Sequence, residues 1–217
     1  MKKSHLFIVS AAVLLIAFVA GALWYKSEKT KQSALALEQY KQALDRGHSS
    51  TLGKPDARVH IVEFLDPACE TCRAFYSPVK NMLAANPDRI RLTVRYAPFH
   101  QGSDQVVKIL EAARKQGKFW QALEAVLAAQ PEWAPHHAPQ PELVWRYLGG
   151  LGLNLEQMRS DMNAPEIAKI IAQDIADAKV LNVKATPEYF VNGRPLPSFG
   201  YEQLKALVQD ELAMSYR

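Results

Sequence analysis

Two cysteines, the only two in 217 residues, stand three positions apart in FLDPACETC (Phe64 to Cys72), where strand character gives way to helical character. That placement constrains fold and chemistry together. Upstream, ARVHIVEFLD (Ala57 to Asp66) is rich in β-branched and aromatic residues and apolar on both faces, the pattern of a central strand covered from both sides. Downstream, Cys69 to about Asn86 has helical spacing and ends near Pro87. Cys69 then falls at a helix N-terminus, where unpaired N–H groups and the helix dipole favour a thiolate. Only the thiolate attacks a disulfide. At i and i+3 of a first helical turn the two sulfurs face one side, so Cys72 can resolve a mixed disulfide formed on Cys69. A purely structural disulfide across so small a loop stabilises little. A zinc site needs two further ligands, and the adjacent His136 and His137 cannot easily aim both rings at one metal, so no metal site is expected.

The remaining pattern reads as one α/β domain with a helical insertion. IRLTVRYA (Ile90 to Ala97) alternates as a second strand, and residues 103–182 read as helical nearly throughout. EYFVNG is a strand running into a turn at Asn192-Gly193. RPLPSF suits only a short edge strand because of its prolines, and GYEQLKALVQDELA closes as a helix. Apolar residues at 48% and charged residues at 22% are ordinary for a globular chain and exclude a disordered or fibrous one. The net charge of +4 is spread out, without the basic runs or basic-aromatic interleaving of a nucleic-acid binder.

Ahead of the domain, Lys2 and Lys3 precede an uncharged run, Leu6 to Tyr25, long enough as a helix to cross a hydrocarbon core of about 30 Å. Trp24 and Tyr25 fall where an interfacial aromatic belt would lie. The same run, with Ala20-Gly21-Ala22 near its end, also reads as a signal peptide. Residues 1–26 are thus an inner-membrane anchor or a cleaved signal, and either exports the rest. Residues 27–54 read as a stalk or linker, with Leu37, Tyr40 and Leu44 at helical spacing and Gly47 as a stop; a dimerisation helix is the alternative. The folded domain is expected over 55–213, with the helical insertion at about 103–182.

FLDPACETC at a strand-to-helix junction and TPEYFVNG near the end resemble the thioredoxin fold. The helical block between them, including GKFWQALEAVL (Gly117 to Leu127), makes the chain similar to the DsbA-like thiol–disulfide oxidoreductases of bacterial envelopes. The resemblance implies that Cys69 is the exposed nucleophile and Cys72 the buried resolving thiol. It also implies a cis peptide at Thr186-Pro187, in a loop beside the redox pair that offers the backbone of residue 186 to an extended substrate strand. Glu63 shares a strand face with Val59, Ile61 and Leu65, and its position six residues before Cys69 fits the family's buried acid, which moves the resolving cysteine's proton.

The reading is an envelope oxidoreductase that exchanges disulfides with cysteine-containing exported proteins, in the oxidative direction, and is reset by a membrane redox partner. No cofactor is implied, since the disulfide carries both electrons. The alternatives are an envelope reductase or isomerase, and a non-enzymatic thioredoxin-fold chaperone. Glu70-Thr71 lacks the Pro-His of the strongly oxidising members, and the acids Asp66 and Glu70 oppose a thiolate while Arg73 offsets one of them. Cys69 is therefore expected to titrate only modestly below the free-thiol value of about 8.5. His100 reads as a loop residue rather than a catalyst.

Overall fold

The computed structural model describes residues 2–217, with the side chains of residues 2–13, 15–17 and 137 outside the described set. Residues up to Gln42 form one compact unit and Ala43–Arg217 a second. The helix α1 (Lys2–Leu44) forms the first unit as far as Gln42; its last two residues, Ala43 and Leu44, belong to the second unit and are buried. Among the described residues no helix is long and apolar enough to cross a membrane. Most of the run from Leu6 to Tyr25, on which the anchor and signal readings rest, lies outside the described side chains.

The second unit is built on a five-stranded mixed sheet in the order β1-β3-β2-β4-β5. Its centre is β2 (Val59–Leu65), parallel to β3 (Ile90–Tyr96) on one side and antiparallel to β4 (Glu188–Val191) on the other. The parallel pair needs a crossover, and α2 (Glu70–Ala84), which opens at the cysteines, supplies it. Asn192 and Gly193 both take positive φ, 48° and 81°, as a two-residue hairpin turn between β4 and β5 (Arg194–Pro195) requires. The expected edge strand over RPLPSF shrinks to those two residues. The helix α9 (Tyr201–Ser215) closes the fold against α2 and the sheet.

One strand falls in the stretch read as linker. β1 (Ser50–Leu52) pairs antiparallel with β3, and the Thr51 and Thr93 hydroxyls meet at 2.7 Å. Three residues are too few to carry a period-2 signal. Gly47 does not stop the stalk helix either, since α1 ends at Leu44 and a turn closes between Arg46 and Ser49.

The insertion comprises α3 (Ser103–Lys115), α4 (Phe119–Ala128), α5 (Gln130–Trp133), α6 (Pro141–Val144), α7 (Leu155–Asp161) and α8 (Pro165–Val180). PELVWRYLGGL is less helical than its apolar spacing suggests: α6 tightens into a 3-10 turn at Trp145–Tyr147 and stops before Gly149-Gly150. Two apolar clusters result. Odd-numbered residues of β2, Val59 and Ile61, pack with α2 and α9, whereas Leu65, both cysteines and Tyr76 join the core of the insertion. The redox pair therefore sits on the seam between the two cores.

A buried ion cluster ties the insertion to the sheet. Arg95 of β3, fully buried, donates to Asp174 and Asp177 of α8 at 2.6–2.9 Å and to the Ala43 carbonyl at 2.6 Å. Arg46 holds Asp177 through two contacts of 2.7 and 2.8 Å. A buried guanidinium with this many acceptors gives up little of its hydration energy uncompensated.

Candidate functional site

The turn from β2 into α2 is organised by Asp66. Its fully buried carboxylate accepts from the Ala68 N–H at 2.9 Å and the His100 N–H at 2.8 Å, and lies 2.8 Å from His100 Nδ1. The Asp66 carbonyl accepts from the Cys69 N–H at 3.0 Å. Cys69 is the N-cap of α2, which sets its sulfur at the unpaired N–H groups of the first helical turn. Both cysteines are free thiols here; Cys69 keeps 6% of its surface in solvent and Cys72 none.

That difference in environment splits the two thiols. Cys69 is lowered from 9.0 to about 5, first by the hydrogen bond from Cys72, then by the Thr186 side chain and the backbone N–H groups of Cys72 and Thr71, against the opposing effect of burial. The Thr186 carbonyl, 3.1 Å from Sγ, accepts from the thiol and favours the neutral form, but the donors outweigh it. Cys72 is pushed well up by burial, by its bond to Cys69 and by the nearby Glu63. The expectation that Cys69 would titrate only modestly below 8.5 is thus corrected. It counted side-chain charges, but Asp66 spends its carboxylate on the turn and His100, Glu70 is exposed, and the donors that dominate are the Cys72 thiol, the Thr186 side chain and backbone groups.

Glu63 lies on β2 with its carboxyl 1% exposed. Desolvation raises it from 4.5 to about 8, while the Tyr189 hydroxyl, donating to Oε1 at 3.0 Å, pulls the other way. Tyr189 is its register partner on β4, so the sheet itself delivers the hydroxyl. Thr186-Pro187 is a cis peptide immediately before β4, and its carbonyl contact with Cys69 puts this loop against the redox pair. All five residues expected at the site meet around the N-terminus of α2 and the adjoining β2–β4 ladder.

Sequence reasoning passed over Tyr189, Gln130 and the Asp66–His100 contact. The first depends on strand register, and the others on segments meeting across long separations, none of which has a local signal. Among the described residues no cluster of three or more His, Cys, Asp or Glu could hold a metal ion.

The thioredoxin family profile matches residues 45–210. The chain belongs to the thioredoxin family. Among solved structures it is similar to a thioredoxin-like oxidoreductase from Silicibacter pomeroyi DSS-3, with 30% identity and a TM-score of 0.69 over 80% of this chain and 98% of that one. The same fold recurs in oxidised BdbD from Bacillus subtilis, at 24% identity and TM-score 0.67 over 76% of this chain and 94% of that one. It recurs again in α-DsbA1 from Wolbachia pipientis, at 16% identity and TM-score 0.70 over 82% and 98%. The thioredoxin fold that FLDPACETC and TPEYFVNG implied is thus shown. A curated relative of another kind, the Na(+)/H(+) antiporter NhaA of Herminiimonas arsenicoxydans, is 31% identical over 84% of this chain. The match takes in 28% of that protein, and this chain spans about a quarter of the length of the curated relatives it matches.

Proposed function

We propose that the chain is an extracytoplasmic dithiol oxidase that passes the Cys69–Cys72 disulfide to pairs of thiols on exported proteins. The observation that carries this reading is the unequal pair: a thiol favoured as thiolate at a helix N-terminus beside a buried one held neutral. A client thiolate attacks Cys69 Sγ of the disulfide, and Cys72 leaves and takes up a proton. The client's second thiolate then attacks its own sulfur in the mixed disulfide, and Cys69 leaves as the stabilised thiolate. Two electrons pass from client to enzyme, the client gains a disulfide, and a membrane redox partner restores the enzyme's.

Glu63 supplies the proton for Cys72. Held at about 8, its carboxyl is mostly protonated at pH 7, close enough to raise the Cys72 thiol, and sealed from bulk water. Thr186 and Pro187 form the client-binding edge, where the chain before β4 lies against Cys69 and presents backbone groups to an extended segment. Residues 6–25 hold the domain at the membrane or are removed on export, and both routes place it among proteins that acquire disulfides.

The test is oxidative refolding of a reduced, unfolded client by the pre-oxidised protein. Stoichiometric disulfide transfer to the client, abolished in Cys69→Ser, is expected. Reduction of insulin without any oxidative transfer would assign the pair to the reductase alternative.

A further inference from the structure

Gln130 opens α5 in the helical insertion, 61 residues after Cys69 in sequence, and is 1% exposed. Its side-chain amide is fully engaged with the redox turn. Nε2 donates to the Pro67 carbonyl at 2.7 Å and to the Cys69 carbonyl at 2.9 Å, and Oε1 accepts from Arg73 Nε at 3.0 Å. The Cys69 carbonyl is also the first acceptor of α2, bonded to the Arg73 N–H at 3.2 Å. One buried side chain thus fastens the residue before the turn, the nucleophile's own peptide, and the guanidinium one helical turn further on.

We propose that Gln130 is a positioning residue for the redox pair, through which the helical insertion fixes the first turn of α2 beneath the Cys69 sulfur. Three effects follow from the geometry. Donation to the Pro67 and Cys69 carbonyls satisfies the negative ends of the dipoles flanking the sulfur. The fixed peptide at Cys69 keeps the N–H groups of Thr71 and Cys72 aimed at the thiolate. The bond to Nε holds the Arg73 cation on the face of α2 that carries Cys69, since residues i and i+4 are neighbours. All three favour the thiolate without touching the sulfur.

This inference rests on Cys69 being the nucleophile of the proposed reaction, and the experiment separates the two because it reads the thiol directly. Gln130→Met keeps length and volume and removes both donors and the acceptor. The thiolate absorbance near 240 nm of the reduced variant should show Cys69 titrating about one pH unit higher than in wild type. Its equilibrium constant for oxidising glutathione at pH 7 should fall about tenfold, roughly 30 mV for this couple. A purely structural role would lower the unfolding midpoint and leave both readings where they are. Wild type gives a second measurement that needs no variant: the Gln130 side-chain amide resonances should shift with pH at the Cys69 midpoint. A folded Gln130→Met with an unchanged Cys69 titration overturns the proposal, as do Gln130 resonances in wild type that ignore that midpoint.

Discussion

Replacing Glu63 by glutamine should alter stability and rate in ways that share one cause. In the folded protein the carboxyl titrates at about 8, against 4.5 when unperturbed, because burial penalises the charge. Between those values the folded state binds more protons than the unfolded one, so stability is fully present below pH 4.5 and is lost as pH rises through 8. At 1.36 kcal/mol per pH unit, the loss between pH 5 and pH 8 comes to about 3–4 kcal/mol. Glutamine has no proton to lose, and its Oε1 can still accept from the Tyr189 hydroxyl. Urea unfolding of the oxidised protein, in which Cys69 carries no charge, isolates the effect. Wild type should weaken relative to Glu63→Gln across pH 5–8, the rise in stability with pH that buried His60 gives below pH 6.5 being common to both, and the variant should overtake it at the alkaline end. Client oxidation at pH 7 should meanwhile slow by about 10²-fold, the lower range of general acid–base contributions, because Cys72 has lost its buried proton source. Parallel stability curves together with an unchanged rate would return Glu63 to a passive place in the sheet.

Three other substitutions probe separate parts of the account. Cys72→Ser should accumulate mixed disulfides with client proteins on non-reducing gels, since nothing then resolves the bond on Cys69; Cys69→Ser should accumulate few, and equal trapping would overturn the assigned roles. Arg95→Met leaves Asp174 and Asp177 buried without their shared cation, and should cost about 3–5 kcal/mol in urea unfolding near neutral pH, with a smaller loss at pH 3 where the carboxyls can protonate.

The strands, the redox helix and the helical character of the insertion were legible because each rests on a local pattern. β2 is apolar on both faces apart from His60 and Glu63, the hairpin carries its Asn192-Gly193 turn, and the cysteines sit where one periodicity replaces another. What escaped is non-local. β1 is three residues whose partner lies about 40 residues on, and the hydroxyl on Glu63 arrives only once β4 is in register with β2. The acidity of Cys69 was misread for the same reason. Acidic side chains can be counted in a sequence, but Asp66 turns out to cap the turn and contact His100, and the donors to the sulfur come from Cys72, the Thr186 side chain and backbone.

The reduction potential of the Cys69–Cys72 pair, from equilibration with glutathione at pH 7, tests the central claim most directly. A strong oxidant is one whose reduced form is stabilised, and here that stabilisation is the Cys69 thiolate near 5. Thioredoxin, with its thiol near 7 and a potential of about −270 mV, gives the reference. Lowering a thiol from about 7 to about 5 raises the thiolate's weight at pH 7 by nearly two decades, or roughly 50 mV at about 30 mV per decade. Solvent at the exposed edge of Cys69 screens part of this, so the pair is placed at about −220 mV or slightly below, still above thioredoxin. A potential at or below about −270 mV would contradict an oxidase and assign the chain to disulfide reduction.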